Sequence, residues 1–258
     1  MTIAETLKSV GERGEMTLIA YYTAGFPTME ESIQNIRILA ENGADMIEIG
    51  VPFSDPIADG AVIQQAAQKA LEGGVTLKRI IEMIPKLKIA VPLLLMSYIN
   101  PLMAYGRESL FKDARRVGVS GFIIPDLSME ESEEWVQTAR VTGMDLVFLV
   151  APTSSLKRIR WAAELSRGFL YCVSVTGTTG VREGLSSEIF QFIRKIKSQT
   201  NMPVAVGFGI STPEHVKRLW GHAEGVIVGS RFIQAVLQKE NLPALVQAFK
   251  SATRKETP

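Results

Sequence analysis

Short apolar runs recur along the chain, and an amphipathic stretch follows nearly every one of them. The runs fall at 17–23, 46–51, 92–98, 121–125, 146–151, 169–175, 204–208 and 225–228. Each is brief, rich in Val, Ile and Leu, and apolar on both faces, as a strand of a parallel sheet must be when helices cover it. Helical periodicity occupies 29–42, 61–71, 77–87, 107–117, 129–142, 155–165, 186–198, 213–220 and 242–253. Start signals support several of these: Thr28 before Met29-Glu30-Glu31, Ser128 before Met129-Glu130-Glu131, and Thr212 before Pro213 at a first helical position.

Eight strands alternating with helices, at roughly 30 residues per unit, predict an α/β fold, a single closed (β/α)8 barrel of the TIM type. The rival is an open doubly wound sheet. Against it, no G-x-G-x-x-G follows the first strand, and polar residues recur after many strands instead of at one switch point. The segment between the second and third strands is long enough for two helices. Ile3, Leu7 and Val10 share one helical face, so residues 1–14 are expected to form an extra helix over the lower end of the barrel. No linker divides residues 1–258, and the polar tail 254–258 is expected to fray.

Composition narrows the class. Apolar residues make up 46% of the chain, enough for a large core, and the net charge of +1 leaves no basic stripe for nucleic acid or an anionic membrane. A lone cysteine, Cys172, excludes an internal disulfide and suits a reducing cytoplasm. The first ten residues carry an early acid and no apolar run, so they are not read as a signal peptide. The most apolar window, 89–105, is interrupted by Pro92, Asn100 and Pro101 and is not read as a membrane span.

One run carries a carboxylate. In Met46–Glu48–Gly50 the acid shares a face with Met46 and Gly50, and an ionised group on a buried strand costs several kcal/mol unless paired or protonated. Pro52 ends that strand, and a loop stiffened by Pro52 and Pro56 brings Asp55 and Asp59. The alternative is an ordinary strand followed by a capping loop, with Glu48 solvated at the rim. Elsewhere the rim chemistry is limited. No run contains lysine, so a Schiff base has no nucleophile; His215 and His222 lie in or just past the helix after the seventh strand, away from strand ends that build a metal site. Cys172 reads as a packed thiol. Carboxylates and tyrosines remain at strand ends (Glu48, Asp59, Asp126, Tyr98, Tyr171), a set suited to proton transfer. Glycine-bearing loops at 176–180, after 204–208 and at 229–232 suggest backbone cradles for a phosphate, where single glycines would merely permit tight turns.

The run I-E-I-G-V-P-F-S-D-P-I-A-D-G resembles the signature of the tryptophan synthase alpha chains, shared with free-standing indole-glycerol phosphate lyases. Y-C-V-S-V-T-G-T-T-G, G-F-G-I-S and V-G-S fall where that family has its equivalents, and the likeness extends from about Thr17 to Val236. It implies a cofactor-free, metal-independent lyase that splits indole-3-glycerol phosphate into indole and glyceraldehyde 3-phosphate. By position, Glu48 and Asp59 match the catalytic carboxylates, and Gly180, Gly209, Gly229 and Ser230 the phosphate positions. Tyr21, Ile63, Met96, Tyr98, Ile123, Tyr171 and Phe208 match the indole pocket, and Thr179 matches a lid threonine in a loop, 176–184, that closes over the site. Val175 stands where some relatives carry arginine. The resemblance also implies a cytoplasmic alpha2beta2 assembly with a beta chain that holds pyridoxal phosphate. That partner would dock on the rim at 52–59, 100–106 and 126–128. Another phosphosugar barrel, or a barrel without chemistry that serves only as an allosteric partner, are the alternatives.

Overall fold

A computed structural model describes residues 1–173, 187–207 and 209–255. Its strands are β1 (Thr17–Thr23), β2 (Met46–Gly50), β3 (Leu93–Met96), β4 (Gly121–Ile123), β5 (Asp145–Val147), β6 (Leu149–Val150), β7 (Leu170–Val173), β8 (Val204–Gly207) and β9 (Gly225–Val228). All paired neighbours are parallel, in the order β5-β4-β3-β2-β1-β9-β8-β7-β6. The two ends of that order, β5 and β6, are separated on the chain by Phe148 alone, so the polypeptide itself closes the sheet. The fifth apolar run is thus one stave in two pieces, and the architecture is the eight-unit TIM barrel that the hydrophobic pattern predicts.

The pleat sorts the apolar residues into two cores. One face of each strand turns outward, where Leu18, Ile47, Ile49 and Leu95 pack beneath the surrounding helices. The other turns inward, where Ile19, Met46, Leu94, Ile123, Phe169 and Ile227 fill the barrel. The helix Ile3–Glu12, capped by Thr2 with a reciprocal Glu5 bond, adds Ile3 and Leu7 to the inner cluster. Burying two such side chains is worth about 1.5–3 kcal/mol each, which explains why a barrel end is closed by an added helix.

Three differences from the sequence pattern have local causes. The stretch 100–106, to which the hydrophobic pattern assigns no helix, is mostly the helix Ile99–Tyr105. Proline is tolerated there because it lies in the first turn, where its missing N–H has no intrahelical partner. The cap comes from the loop after β4: Asp126 Oδ1 accepts the Ile99 N–H at 2.9 Å. Ser128 caps only a 3-10 turn, Met129–Glu131, and the helix proper starts later, as Glu133–Thr142, after Ser132 donates to the Met129 carbonyl. Finally, within the tail expected to fray, Arg254 forms an antiparallel bridge with Glu15 and Lys255 lies over the Trp220 ring, while 256–258 lie outside the described residues.

Candidate active site

Glu48 sits on the inward face of β2 between Met46 and Gly50, with no exposed surface. Among the described residues neither of its carboxyl oxygens has a hydrogen-bond partner, and no lysine or arginine pairs with it. Burial first, and the neighbouring charge of Asp59 second, raise its pKa to about 8. A carboxylic acid in this setting is protonated at neutral pH, which is how the chain tolerates it there.

Tyrosines crowd around this acid. Tyr21 is the register partner of Glu48 on β1, and its ring reaches over β2: a Cβ at Gly50 would lie 2.0 Å from its hydroxyl oxygen. On the far side, a Cβ at Gly207 would lie 2.2 Å from the Tyr171 hydroxyl. Both glycines are therefore required by close approach of a phenol. Gly229 is constrained in the same way, since its Cβ would meet the Tyr21 ring at 2.9 Å. The Tyr21 and Tyr171 hydroxyls are held well above the ordinary tyrosine range, by burial first and by the nearby carboxylates after it. They remain neutral donors or acceptors.

Asp59 arrives from the loop after β2. The Ala58 N–H donates to the Tyr98 hydroxyl at 2.9 Å, and that hydroxyl donates to Asp59 Oδ2 at 3.1 Å. Phe53 packs its ring 5.2 Å from Tyr98, so the loop is pinned at both ends to one residue. Burial raises the Asp59 pKa to about 6 and the Tyr98 bond restrains the rise. Two carboxyl groups therefore face one space in different states near pH 7, with Glu48 protonated and Asp59 ionised. Such a pair can donate a proton at one point and stabilise a cation at another.

The remaining positions fall around this pair or elsewhere. Met96 and Ile123 lie on the inner wall and Ile63 packs against it from the first turn of the helix Ala61–Glu72. Gly209 is exposed after β8 with φ of +75°, and Gly229 and Ser230 start the helix Ser230–Leu237, which the hydrophobic pattern missed for want of a side-chain cap. Gly180, Thr179, Phe208, Val175 and the segment 176–184 lie outside the described residues. Asp126 is engaged in capping Ile99, and its charge reaches Tyr98, the residue that holds Asp59. Sequence reasoning passed over Thr23, whose hydroxyl lies 3.3 Å from that of Tyr21, and Leu149 and Val173, which pack against the inner cluster. Two-residue alternation from Val147 and Tyr171 would have found the last two. They also border a cavity of about 440 Å3 at the carboxyl ends of β4, β6 and β7, lined with Pro125, Ala151 and Ser154. Among the described residues no cluster of histidine, cysteine or acids could hold a metal ion, and no helix is long and apolar enough to cross a membrane.

Comparison with known proteins identifies the family. The family model described as tryptophan synthase alpha chain matches residues 7–257. The tryptophan synthase alpha chain of Solibacter usitatus is 46% identical over 239 residues, covering 92% of this chain and 90% of that one. The alpha chain of Dehalococcoides mccartyi is 44% identical over 222 residues, 85% of this chain and 87% of its own. Among solved structures, tryptophan synthase of Mycobacterium tuberculosis superposes with a TM-score of 0.92 at 33% identity over 98% of both chains. The alpha chain of Legionella pneumophila does so at 0.88 and 30%, over 98% of this chain and 97% of that one. With so nearly complete a match in sequence and in fold, the chain belongs to the tryptophan synthase alpha chain family.

Proposed function

We propose that this chain is a lyase that splits indole-3-glycerol phosphate into indole and glyceraldehyde 3-phosphate, as the alpha subunit of tryptophan synthase in tryptophan biosynthesis. The observation that carries the reading is Glu48: a fully buried acid without a hydrogen-bond partner among the described residues, protonated near neutrality, beside an ionised Asp59. The bond from indole C3 to the glycerol chain breaks only after C3 is protonated, because the ring is otherwise a poor leaving group. Glu48 delivers that proton. The positive charge that then develops on the indole nitrogen is stabilised by Asp59 through the ring N–H. The resulting Glu48 carboxylate takes the proton of the adjacent side-chain hydroxyl as its C–O becomes C=O. The C–C electron pair returns to the ring, releasing indole and the aldehyde, and Glu48 ends protonated as it began. The step uses no metal and no cofactor of this chain.

Binding is assigned along the same lines. Tyr21, Ile63, Met96, Tyr98, Ile123, Tyr171 and Phe208 enclose the indole. Gly180, Gly209, Gly229 and Ser230 hold the phosphate, a role favoured by the start of the helix Ser230–Leu237, which has no side-chain cap among the described residues. Thr179 is the lid residue that meets Asp59 on closure. A beta chain carrying pyridoxal phosphate docks on the rim at 52–59, 100–106 and 126–128 in an alpha2beta2 assembly. Exposure of Ile57 at 83% and Met103 at 64% on that rim favours an apolar partner there. The lone thiol, Cys172, is buried and suits a reducing cytoplasm.

The test is direct. The purified chain is incubated with indole-3-glycerol phosphate, and indole is measured against glyceraldehyde 3-phosphate. Equimolar release is expected, and binding without release would leave the barrel as an allosteric partner only. Sedimentation with a candidate beta chain tests the assembly.

A further inference from the structure

The turn after β8 contains a histidine contact that the proposed reaction does not use. Gly209 is exposed at φ of +75°, a conformation that glycine adopts without strain but in which it also surrenders the most backbone freedom. Two residues on, Ser211 leads into Thr212, whose side chain accepts the His215 N–H at 3.2 Å and starts the helix Pro213–Leu219. The backbone of His215 is thus fixed, and its ring is directed back over the turn. Its Nδ1 lies 3.2 Å from the Gly209 carbonyl oxygen, 3.3 Å from the Ser211 backbone nitrogen and 3.5 Å from the Ser211 hydroxyl. A bare Nδ1 accepts the Ser211 N–H; a protonated one donates to the Gly209 carbonyl. In either state the same atom ties the turn together. The helix has no need of the ring, since Thr212 and Pro213 already start it.

We infer that His215 is a positioning residue for phosphate binding, holding the turn 209–211 in the shape that presents the Gly209 backbone to the substrate. The inference rests on the assignment of Gly209 to the phosphate site. A cradle built of main-chain N–H groups has no side-chain freedom to correct its aim, so whatever fixes the turn's dihedrals fixes the grip.

Steady-state cleavage by the wild type and by His215→Ala, His215→Asn and His215→Gln, with indole-3-glycerol phosphate and with its dephosphorylated analogue indole-3-glycerol, tests this. His215→Ala is expected to raise KM for the phosphate ester about tenfold, the loss of one hydrogen bond at a charged ligand, with kcat within about twofold. KM for indole-3-glycerol should not change. Asparagine places a polar atom at the same distance along the side chain as Nδ1 and should restore the phosphate KM; glutamine places it one bond too far and should not. Inorganic phosphate as a competitive inhibitor should weaken in parallel in the alanine variant. Equal KM values for both substrates in the wild type would overturn the phosphate site itself. A wild type that favours the ester, with His215→Ala favouring it as strongly, would overturn the role of His215 alone. A common fall in kcat for both substrates, with lowered melting temperature and no rescue by asparagine, would reduce the ring to scaffolding and also overturn it.

Discussion

The two ends of the barrel treat the same side chain in opposite ways. At the lower end, Glu15 and Asp45 share one cation: Lys250 Nζ lies 2.8 Å from a carboxyl oxygen of each, with all three side chains only 11–12% exposed. Burial by itself pushes the Glu15 pKa up. The Lys250 hydrogen bond and the charges of Lys250, Arg254 and Arg13 outweigh it, and the net effect is downward. At the upper end, Glu48 is buried more completely, has no cation among the described residues, and its pKa climbs to about 8. A carboxyl group under a barrel is therefore not costly as such; it is costly when unpaired. The lower end uses pairing to join the chain's first and last elements. The upper end forgoes it, and keeps a transferable proton.

The largest expected effect follows from removing that proton. Glu48→Gln keeps the shape and should lower kcat by about 10³–10⁴-fold, read as indole release, with little change in substrate affinity. The same variant should be more stable than the wild type in alkali. The folded-state pKa of about 8 lies above the ordinary 4.5, so the folded form holds a proton that the unfolded form releases, and stability falls as pH rises from about 4.5 to about 8. Relieving this should add roughly 3–5 kcal/mol at pH 9 and almost nothing at pH 4, measured by urea denaturation. Near-normal turnover, or equal stability at both pH values, would break the contrast between the two ends.

Next in size is Asp59→Asn, expected to cost about 10²–10³ in kcat through loss of charge beside the ring nitrogen. The pH profile carries more information than the magnitude. In the wild type, kcat/KM should rise through about pH 6 as Asp59 ionises and fall through about pH 8 as Glu48 loses its proton. In the variant the acidic limb should vanish. The alkaline limb should move down, because the Asp59 charge is one cause of the Glu48 shift. An unchanged alkaline limb would mean that the two carboxyl groups do not sense each other.

How much of this contrast could be read from the chain follows its distance along the sequence. Glu48 is legible because its neighbours in β2 announce a buried strand, so one acid among Met46, Ile47 and Ile49 is conspicuous on its own. Thr28 and Thr212 are legible for the same reason, as each caps a helix that begins at the next residue. Contacts between distant segments are not. The cap on Ile99 is supplied by Asp126, and the fit of Tyr21 against Gly50 and Gly229 joins three separate strands' ends. Glu15 and Asp45 look like ordinary surface acids until Lys250 is folded over them, its stem lying against Gly43, where a Cβ would come within 2.8 Å.

Lys250→Met tests the lower end. It keeps much of the stem but leaves two nearly buried carboxylates without their shared cation, and should cost about 3 kcal/mol. Arg13 lies 3.7 Å from an oxygen of each acid and offers only partial compensation. A fall in melting temperature of roughly 6–10 °C is expected at pH 7, with kcat and KM unaffected at the other end of the barrel. The sign with pH should be opposite to that at Glu48. The Glu15 contribution is present above its ordinary pKa of 4.5 and disappears as pH drops, so wild type and variant should converge in acid.

Arg254→Ala gives the smallest effect and the sharpest control, because Arg254 and Lys250 serve the same carboxylate. Arg254 Nε lies 3.1 Å from Glu15 Oε1, a good contact by distance, yet its side chain is 62% exposed against 12% for Lys250. Solvent screens the exposed charge and its long side chain gives up rotamer freedom to stay in place, so the loss should remain under about 1 kcal/mol. It should shrink further in 1 M salt, where the screening length falls to about 3 Å. The backbone bridge to Glu15 survives the substitution and keeps the C-terminal segment in register. If the two cations proved equally important, distance would be deciding the energetics; a ratio near three to one would assign the decision to the burial of the cation, and so to how much a pairing of the kind Glu48 forgoes can stabilise.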